Sequence, residues 1–326
     1  MALEDIKKKF EKQQYRFVGN HSAVQVCRWT KKSLIDEGVC YKEKFYGINS
    51  HKCCQMSPWL SCNNHCVHCW RPIELDFQKL IKKGINSPKE IIAESIKNQQ
   101  KLLEGFKGNK KINLKKFKEA QEPDQFAISL LGEPTIYPKI GEFIKELRKQ
   151  KKTSFLVTNG LHPEVLEKLY EKNQLPTQLY ISVNTPNKEE YIKFHRSNFK
   201  NAWERLNKTL ELLPKLKEKT RTVFRMNLVL DLNMEDKQIP EYISLIEKSQ
   251  PLIIEIKGFM SVGFARERLG YDRMPREKEM KDFVKKIEKQ LQEKGLKYKF
   301  LDEHKFSRAY VLAKNKKDLK ITRDNV

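Results

Sequence analysis

The chain has no apolar run long enough to cross a membrane, and its first residues, MALEDIKKKFEKQQYRF, are charged from residue 4 onward and lack the apolar core of a signal peptide. A cytoplasmic protein, away from any membrane, is expected. The chain also lacks a linker rich in Gly, Pro or Ser and any repeat larger than one strand and one helix. Its 326 residues suit a single large α/β domain or two smaller ones, and one compact unit is expected. Acidic residues are in short supply: 42 Asp and Glu stand against 65 Lys and Arg, a formal charge of +23. The Lys and Glu enrichment of heat-adapted proteins raises both signs together. An excess of one sign spread along the chain points instead to a polyanion, nucleic acid above all. Cysteine is missing after residue 69: all seven, Cys27, Cys40, Cys53, Cys54, Cys62, Cys66 and Cys69, lie in the first quarter. Cysteines used as small core hydrophobes would scatter, and disulfides do not persist in a reducing compartment. A metal-bearing N-terminal region is therefore expected.

Beyond the last cysteine the pattern is regular. Apolar runs at 55–61, 125–131, 153–159, 178–184, 222–230 and 252–260 read as strands, with helical stretches near 88–106, 140–150, 162–173, 201–218 and 239–249, and a charged one at 275–294. Six strand–helix units with near-continuous apolar strands predict an α/β fold, a parallel sheet covered on its outer face and curved into a partial (β/α)6 barrel. The polar motifs then fall on one rim: Cys62–Cys69 after the first strand, GEPT (132–135) after the second, TNG (158–160) ending the third and SVNTP (182–186) ending the fourth. Strand C-termini are where such sheets, closed or open, carry their sites. The longest irregular stretch, 107–125, is a basic insertion before the second strand.

In LSCNNHCVHCW the thiols of Cys62, Cys66 and Cys69 are spaced C-x3-C-x2-C. Three thiolates on one short loop suit a cubane cluster, each taking one iron corner and leaving the fourth iron open; a zinc site completed by His65 or His68 is the alternative. This spacing after the first strand of a βα barrel resembles the radical S-adenosylmethionine (SAM) enzymes. The resemblance implies a 4Fe-4S cluster whose open iron binds the amino and carboxylate groups of SAM and whose electron cleaves it to a 5′-deoxyadenosyl radical. Gly132 and Glu133, in LLGEPTIYP, match the family's motif at the cofactor's amino group, with Leu131 in place of its first glycine. His68 matches the position beside the adenine. Ser182, Asn184, Arg225 and Asn227, polar residues in apolar strands, are placed toward the cofactor's ribose and carboxylate, or are hydrogen-bonded core groups.

The N-terminal stretches AVQVCRWTKKSL and CYKEKFYGINSHKC, followed by CVHCWRP, are similar to the tRNA 4-demethylwyosine synthases. That family implies a second 4Fe-4S cluster on three upstream cysteines. Their counterparts are Cys27, Cys40 and Cys53, with Cys54 the alternative to Cys53. It implies condensation of pyruvate, with loss of its carboxyl carbon, onto N1-methylguanosine at position 37 of tRNA(Phe). A lysine amine holds pyruvate as a Schiff base; Lys42 matches it, with Lys44 the alternative. The shorter archaeal type is implied, without a flavodoxin-like domain and reduced by an external ferredoxin or flavodoxin, working as a monomer. Residues 1–54 would carry the second cluster, 55–260 the barrel, and 261–326 an extension on the rim that includes KFSRAYVLAKN (305–315). Arg28, Lys31, Lys32, Lys110, Lys111, Lys115, Lys116 and the segment 78–84 are candidate phosphate contacts, and Trp70, Trp29 or Tyr46 candidate stacking partners for a flipped base. A radical SAM enzyme acting on a peptide or small molecule, or a zinc-stabilised RNA-binding module, are the competing readings.

Overall fold

The computed structural model describes residues 3–75 and 77–322. Ten strands form one sheet: β1 (Tyr15–Val18), β2 (Ser22–Gln25), β3 (Cys53–Ser57), β4 (Gln125–Ile128), β5 (Thr153–Thr158), β6 (Gln178–Ser182), β7 (Arg221–Leu228), β8 (Ile253–Gly258), β9 (Lys299–His304) and β10 (Ala309–Ala313). Their order is β1-β2-β3-β4-β5-β6-β7-β8-β10-β9. Strands β3 to β8 run parallel, and antiparallel pairs extend both edges. Each parallel step is crossed by a helix, among them Pro88–Leu103, Ile140–Lys149, Pro163–Glu171, Ala202–Leu216 and Ile239–Ser249. These are the six strand–helix units expected. Among the described residues no ladder joins β1 to β9, and the six parallel strands are the partial barrel.

The strands' alternation sorts their side chains. Phe126, Leu156, Leu179, Phe224 and Ile254 face outward into the large core under the helices. Phe155, Tyr180, Val223 and Ile253 face inward and meet Tyr41, Phe45 and Tyr46 of the short helix Tyr41–Tyr46. That helix lies on the concave face. Burying Phe45 and Tyr46 there, at 1% and 0% exposure, contributes roughly 1.5–3 kcal/mol each. Gly47, in the left-handed region at φ 82°, ends the helix.

Two expectations are corrected. The first strand begins at Cys53, two residues early, and stops at Ser57, because Pro58 has no N–H to continue the ladder. The C-terminal stretch does not sit on the rim: Ala309–Ala313 is fully buried and inserts between β8 and β9. Its side chains are apolar on both faces, so only an interior strand position hides them all.

Candidate active site

The loop carrying Cys62, Cys66 and Cys69 leaves β3 and is strapped from two sides. On one side His65 N and Val67 N donate to the carbonyls of His195 (2.9 Å) and Phe194 (3.0 Å), at the end of the helix Lys188–His195. On the other side Arg268 donates to the carbonyls of Val67 (3.0 Å) and Cys69. Two further nitrogens approach sulfur: His195 Nδ1 lies 3.1 Å from Cys66 Sγ, and Arg71 Nε donates to Cys69 Sγ at 3.3 Å. Burial raises the thiols of Cys62 and Cys66, and their neighbours' charges push Cys66 further. Such thiols give up their protons to a metal, not to water. Among the described residues no three His, Cys, Asp or Glu side chains are placed to hold a single metal ion. A cubane, which gives each thiolate its own iron, suits the donor set.

Gly132 and Glu133 dock onto this loop. Gly132 adopts φ +66°, and a Cβ there would stand 2.1 Å from Trp59 O and 2.7 Å from Ser61 O, so no side chain fits. Glu133 N donates to Ser61 O at 2.9 Å. The Glu133 carboxylate, 2% exposed, accepts from Thr135 N, Thr135 Oγ1, Thr158 Oγ1 and Asn159 N at 2.6–3.1 Å, which fills its acceptor sites. It fastens the ends of β4 and β5 together. Asn159 then passes the connection on, its Nδ2 donating to Asn63 Oδ1 at 2.6 Å beside Cys62. Half-buried His68 stacks on Phe194, centroids 4.8 Å apart. Burial and the charges of Arg268 and Arg225 push it down to about 4, leaving it neutral at physiological pH.

The strand-end polar residues divide. Asn184 belongs to the framework: its Oδ1 accepts from Asn227 N (3.0 Å) and its carbonyl from Asn233 Nδ2 (2.5 Å) and Tyr242 Oη (3.1 Å). Ser182 and Asn227 remain half-buried on the concave face. Arg225 lies deeper, its Nε 3.4 Å from the fully buried Glu255, which also accepts from Tyr46 Oη at 2.7 Å.

The upstream cysteines converge at the other end of the concave face. Cys27 precedes the helix Arg28–Leu34, Cys40 precedes Tyr41–Tyr46, and Cys53 opens β3. Burial pushes Cys40 up to about 12 and Cys53 well above the ordinary thiol value, and the charge of Cys27 acts on both. Ser50 joins the pieces: its Oγ accepts from Cys40 N (2.8 Å), its carbonyl from Thr30 Oγ1 (2.9 Å), and its N donates to Glu43 (2.7 Å). Cys54 faces the opposite way, into the outer core with Val24 and Met56. The candidate lysines also part. Lys42 is buried, its Nζ 5.1 Å from the Phe155 ring and 5.4 Å from the Tyr180 ring. Lys44 is exposed and pairs with Asp302 at 2.8 Å.

Sequence reasoning missed Arg71, His195, Ser50, Glu255, Lys257 and Arg268. One signal was available: Glu255 and Lys257 are alternate charges within an apolar strand, opposite Arg225 and Asn227 in the register. Of the candidate RNA contacts, the insertion forms the helix Leu114–Glu119 just before β4, at the end of the sheet away from the Cys62 loop. Lys116 is held by Asp36 (2.6 Å), Lys111 and Lys32 by Glu37 (3.4 and 3.7 Å), and Lys31 by Gln14 (2.7 Å). Arg28, Lys110 and Lys115 are exposed. Trp70 is 41% exposed, next to Cys69. Trp29 is half-buried against His304. Tyr46 is a core residue, fully buried on Glu255, and is corrected as a stacking partner.

Residues 56–243 match the Radical SAM superfamily, and residues 248–314 match Wyosine base formation. An S-adenosyl-L-methionine-dependent tRNA 4-demethylwyosine synthase of Pyrococcus abyssi (strain GE5 / Orsay) is 42% identical over 316 residues, 97% of this chain and 90% of that protein. The chain belongs to the tRNA 4-demethylwyosine synthase family. The human relative is 34% identical over 321 residues, and the match spans 42% of its length. Two solved structures are similar over 99% of both chains: TYW1 with a lysine–pyruvate adduct bound (TM-score 0.83, 33% identity) and archaeal TYW1 (TM-score 0.74, 32% identity). This family is a radical SAM family, which implies SAM and a 4Fe-4S cluster. Membership across 97% of the chain displaces the peptide-modifying and zinc-module readings. Among the described residues no helix is long and apolar enough to cross a membrane.

Proposed function

We propose that this protein condenses pyruvate with N1-methylguanosine at position 37 of tRNA(Phe), with loss of the carboxyl carbon, to form 4-demethylwyosine. Cys62, Cys66 and Cys69 would hold one 4Fe-4S cluster, and Cys27, Cys40 and Cys53 a second. When bound, the first cluster supplies the electron that cleaves SAM to a 5′-deoxyadenosyl radical. The chain's own residues do the rest of the positioning. The backbone of Gly132 and Glu133 shapes the cofactor's amino-group site, the flat face formed by His68 and Phe194 borders its adenine, and Ser182 and Asn227 offer polar atoms from the strand ends.

The observation that carries this reading is the burial of Lys42 on the concave face, two residues after Cys40. Its Nζ lies over the Phe155 and Tyr180 rings, and an amine held in one place on this face is positioned to attack a keto carbon. The lysine–pyruvate adduct in a relative of the same fold supports the assignment. Exposed Trp70 stands beside the loop where a flipped base would enter, and exposed basic residues such as Arg28 would meet phosphate. The function further proposes an external ferredoxin or flavodoxin as electron donor, a monomer in the cytoplasm, and a division of labour among residues 1–54 (second cluster), 55–260 (radical chemistry) and 261–326 (sheet extension). The test is mass spectrometry of tRNA(Phe) incubated anaerobically with protein, reductant, SAM and carbon-labelled pyruvate. A labelled tricyclic base at position 37 is expected; label absent from tRNA while SAM is cleaved would refute the substrate assignment.

A further inference from the structure

Lys257 is an unexplained cation. It sits on β8 facing the concave side, opposite Asn227 in the register and one inward-facing step beyond the Arg225–Glu255 pair. Its ammonium rests on the Tyr41 ring, 4.4 Å from the centroid, and Tyr41 directly precedes Lys42. Half-buried cations of this kind ordinarily have a carboxylate. Among the described residues none lies within ion-pair distance of Lys257 Nζ. Glu255, two residues earlier on the same face, is already engaged by Arg225 at 3.4 Å and by Tyr46 Oη at 2.7 Å. The concave face between the two cysteine sets therefore holds two lysines of different character. Lys42 lies among aromatic rings, and Lys257 rests on the Tyr41 ring, within electrostatic reach of Glu255 and Cys40 but with no carboxylate paired to it.

A 2-oxo acid has two groups that match this pair: an electrophilic keto carbon and, one bond away, a carboxylate. We propose that Lys257 is the carboxylate subsite of the keto-acid pocket, orienting the substrate so that its keto carbon meets Lys42; this rests on the assignment of Lys42 made above. In the step concerned, the lone pair of the Lys42 amine forms a bond to C2 while the carbonyl electron pair moves to oxygen. That oxygen leaves as water with both amine hydrogens, and a C=N bond remains. Lys257 takes no part in the bond change and acts as a positioning residue, holding the carboxylate by a charge-assisted hydrogen bond.

The test is reductive trapping on the iron-loaded protein. Borohydride delivers hydride to the imine carbon, solvent protonates nitrogen, and the secondary amine is located by peptide mass spectrometry. Trapping at Lys42 should be half-maximal at a pyruvate concentration roughly tenfold or more higher in Lys257→Met, the loss expected for one charge-assisted hydrogen bond. Lys257→Arg should restore it largely. Methyl pyruvate, which has the keto carbon but no carboxylate charge, should be trapped alike by the wild type and Lys257→Met, so that the variant loses the preference for pyruvate over its ester. A merely structural role would depress both substrates together, and that result overturns the proposal, as does an unchanged preference. Trapping of wild-type protein at Lys257 instead of Lys42, or no trapping at all, would refute the Lys42 assignment and the subsite with it.

Discussion

The two cysteine trios face the same sheet but are built in opposite ways. Cys62, Cys66 and Cys69 share one loop of eight residues, whereas Cys27, Cys40 and Cys53 come from two helix starts and a strand start. A contiguous loop carries its ligand spacing in the chain itself and needs the fold only to hold the loop still, which Arg268, His195 and Gly132 do. The dispersed trio has no geometry until the sheet and the helix Tyr41–Tyr46 are in place. One site is a motif and the other is a product of folding.

Variants can break this comparison. The largest effect is expected from Cys62→Ala: release of 5′-deoxyadenosine should vanish and iron should fall from about eight to about four per chain. Cys40→Ala should lose a similar share of iron and all product formation but keep SAM cleavage; equal loss of both steps would erase the distinction. Lys42→Gln should keep iron and SAM cleavage and abolish labelled product, while Lys44→Gln, whose side chain is exposed and tied to Asp302, should behave as wild type. A smaller effect is expected in alkali. Cys40, pushed up to about 12 by burial from an ordinary value of 9.0, stays protonated in the cluster-free fold while the unfolded chain ionises. The stability this gives is present below about pH 9 and is lost as pH rises toward about 12. Urea midpoints should drop further with pH for iron-free than for iron-loaded protein, since the loaded thiols have already given up their protons; parallel curves would place these cysteines outside the cluster. The smallest effect belongs to Cys54→Ala, with iron unchanged and a loss of about 1 kcal/mol from the core. A halved iron content would exchange its role with that of Cys53.

The same contrast explains how far the residues could be read in advance. The parallel strands were legible within a few residues because most are largely apolar runs buried on both faces, as in QFAI and IIEIKG. The edge hairpins were not: YRFV and SAVQ are four residues long, and KFLDEH is largely polar. Their strand character comes from the neighbour they pair with. The Cys62 loop could be recognised from spacing alone, while the upstream trio and Lys42 needed a resemblance, because nothing local distinguishes a lysine that folds inward from one, two residues on, that folds outward. Lys257 carried one local signal, its alternation with Glu255 in an apolar strand, yet was lost among 65 basic residues. Tyr46 stood among the candidate stacking partners because its actual partner, Glu255, lies 209 residues away in sequence.

Cys53 and Cys54, side by side on opposite faces of β3, have a consequence for assembly. Side chains alternate with a period of two, so a strand slipped by one position would still offer a thiol to incoming iron. Metal capture is thus a poor inspector of this strand: it would accept the misaligned chain as readily as the correct one. What rejects the slip is the outer face, where Met56 and its apolar neighbours would be turned toward the pocket and Gln55 into the core. Loading with iron should therefore come after docking of the strand, and protein offered iron while still unfolded should yield a fraction that holds metal but never turns over.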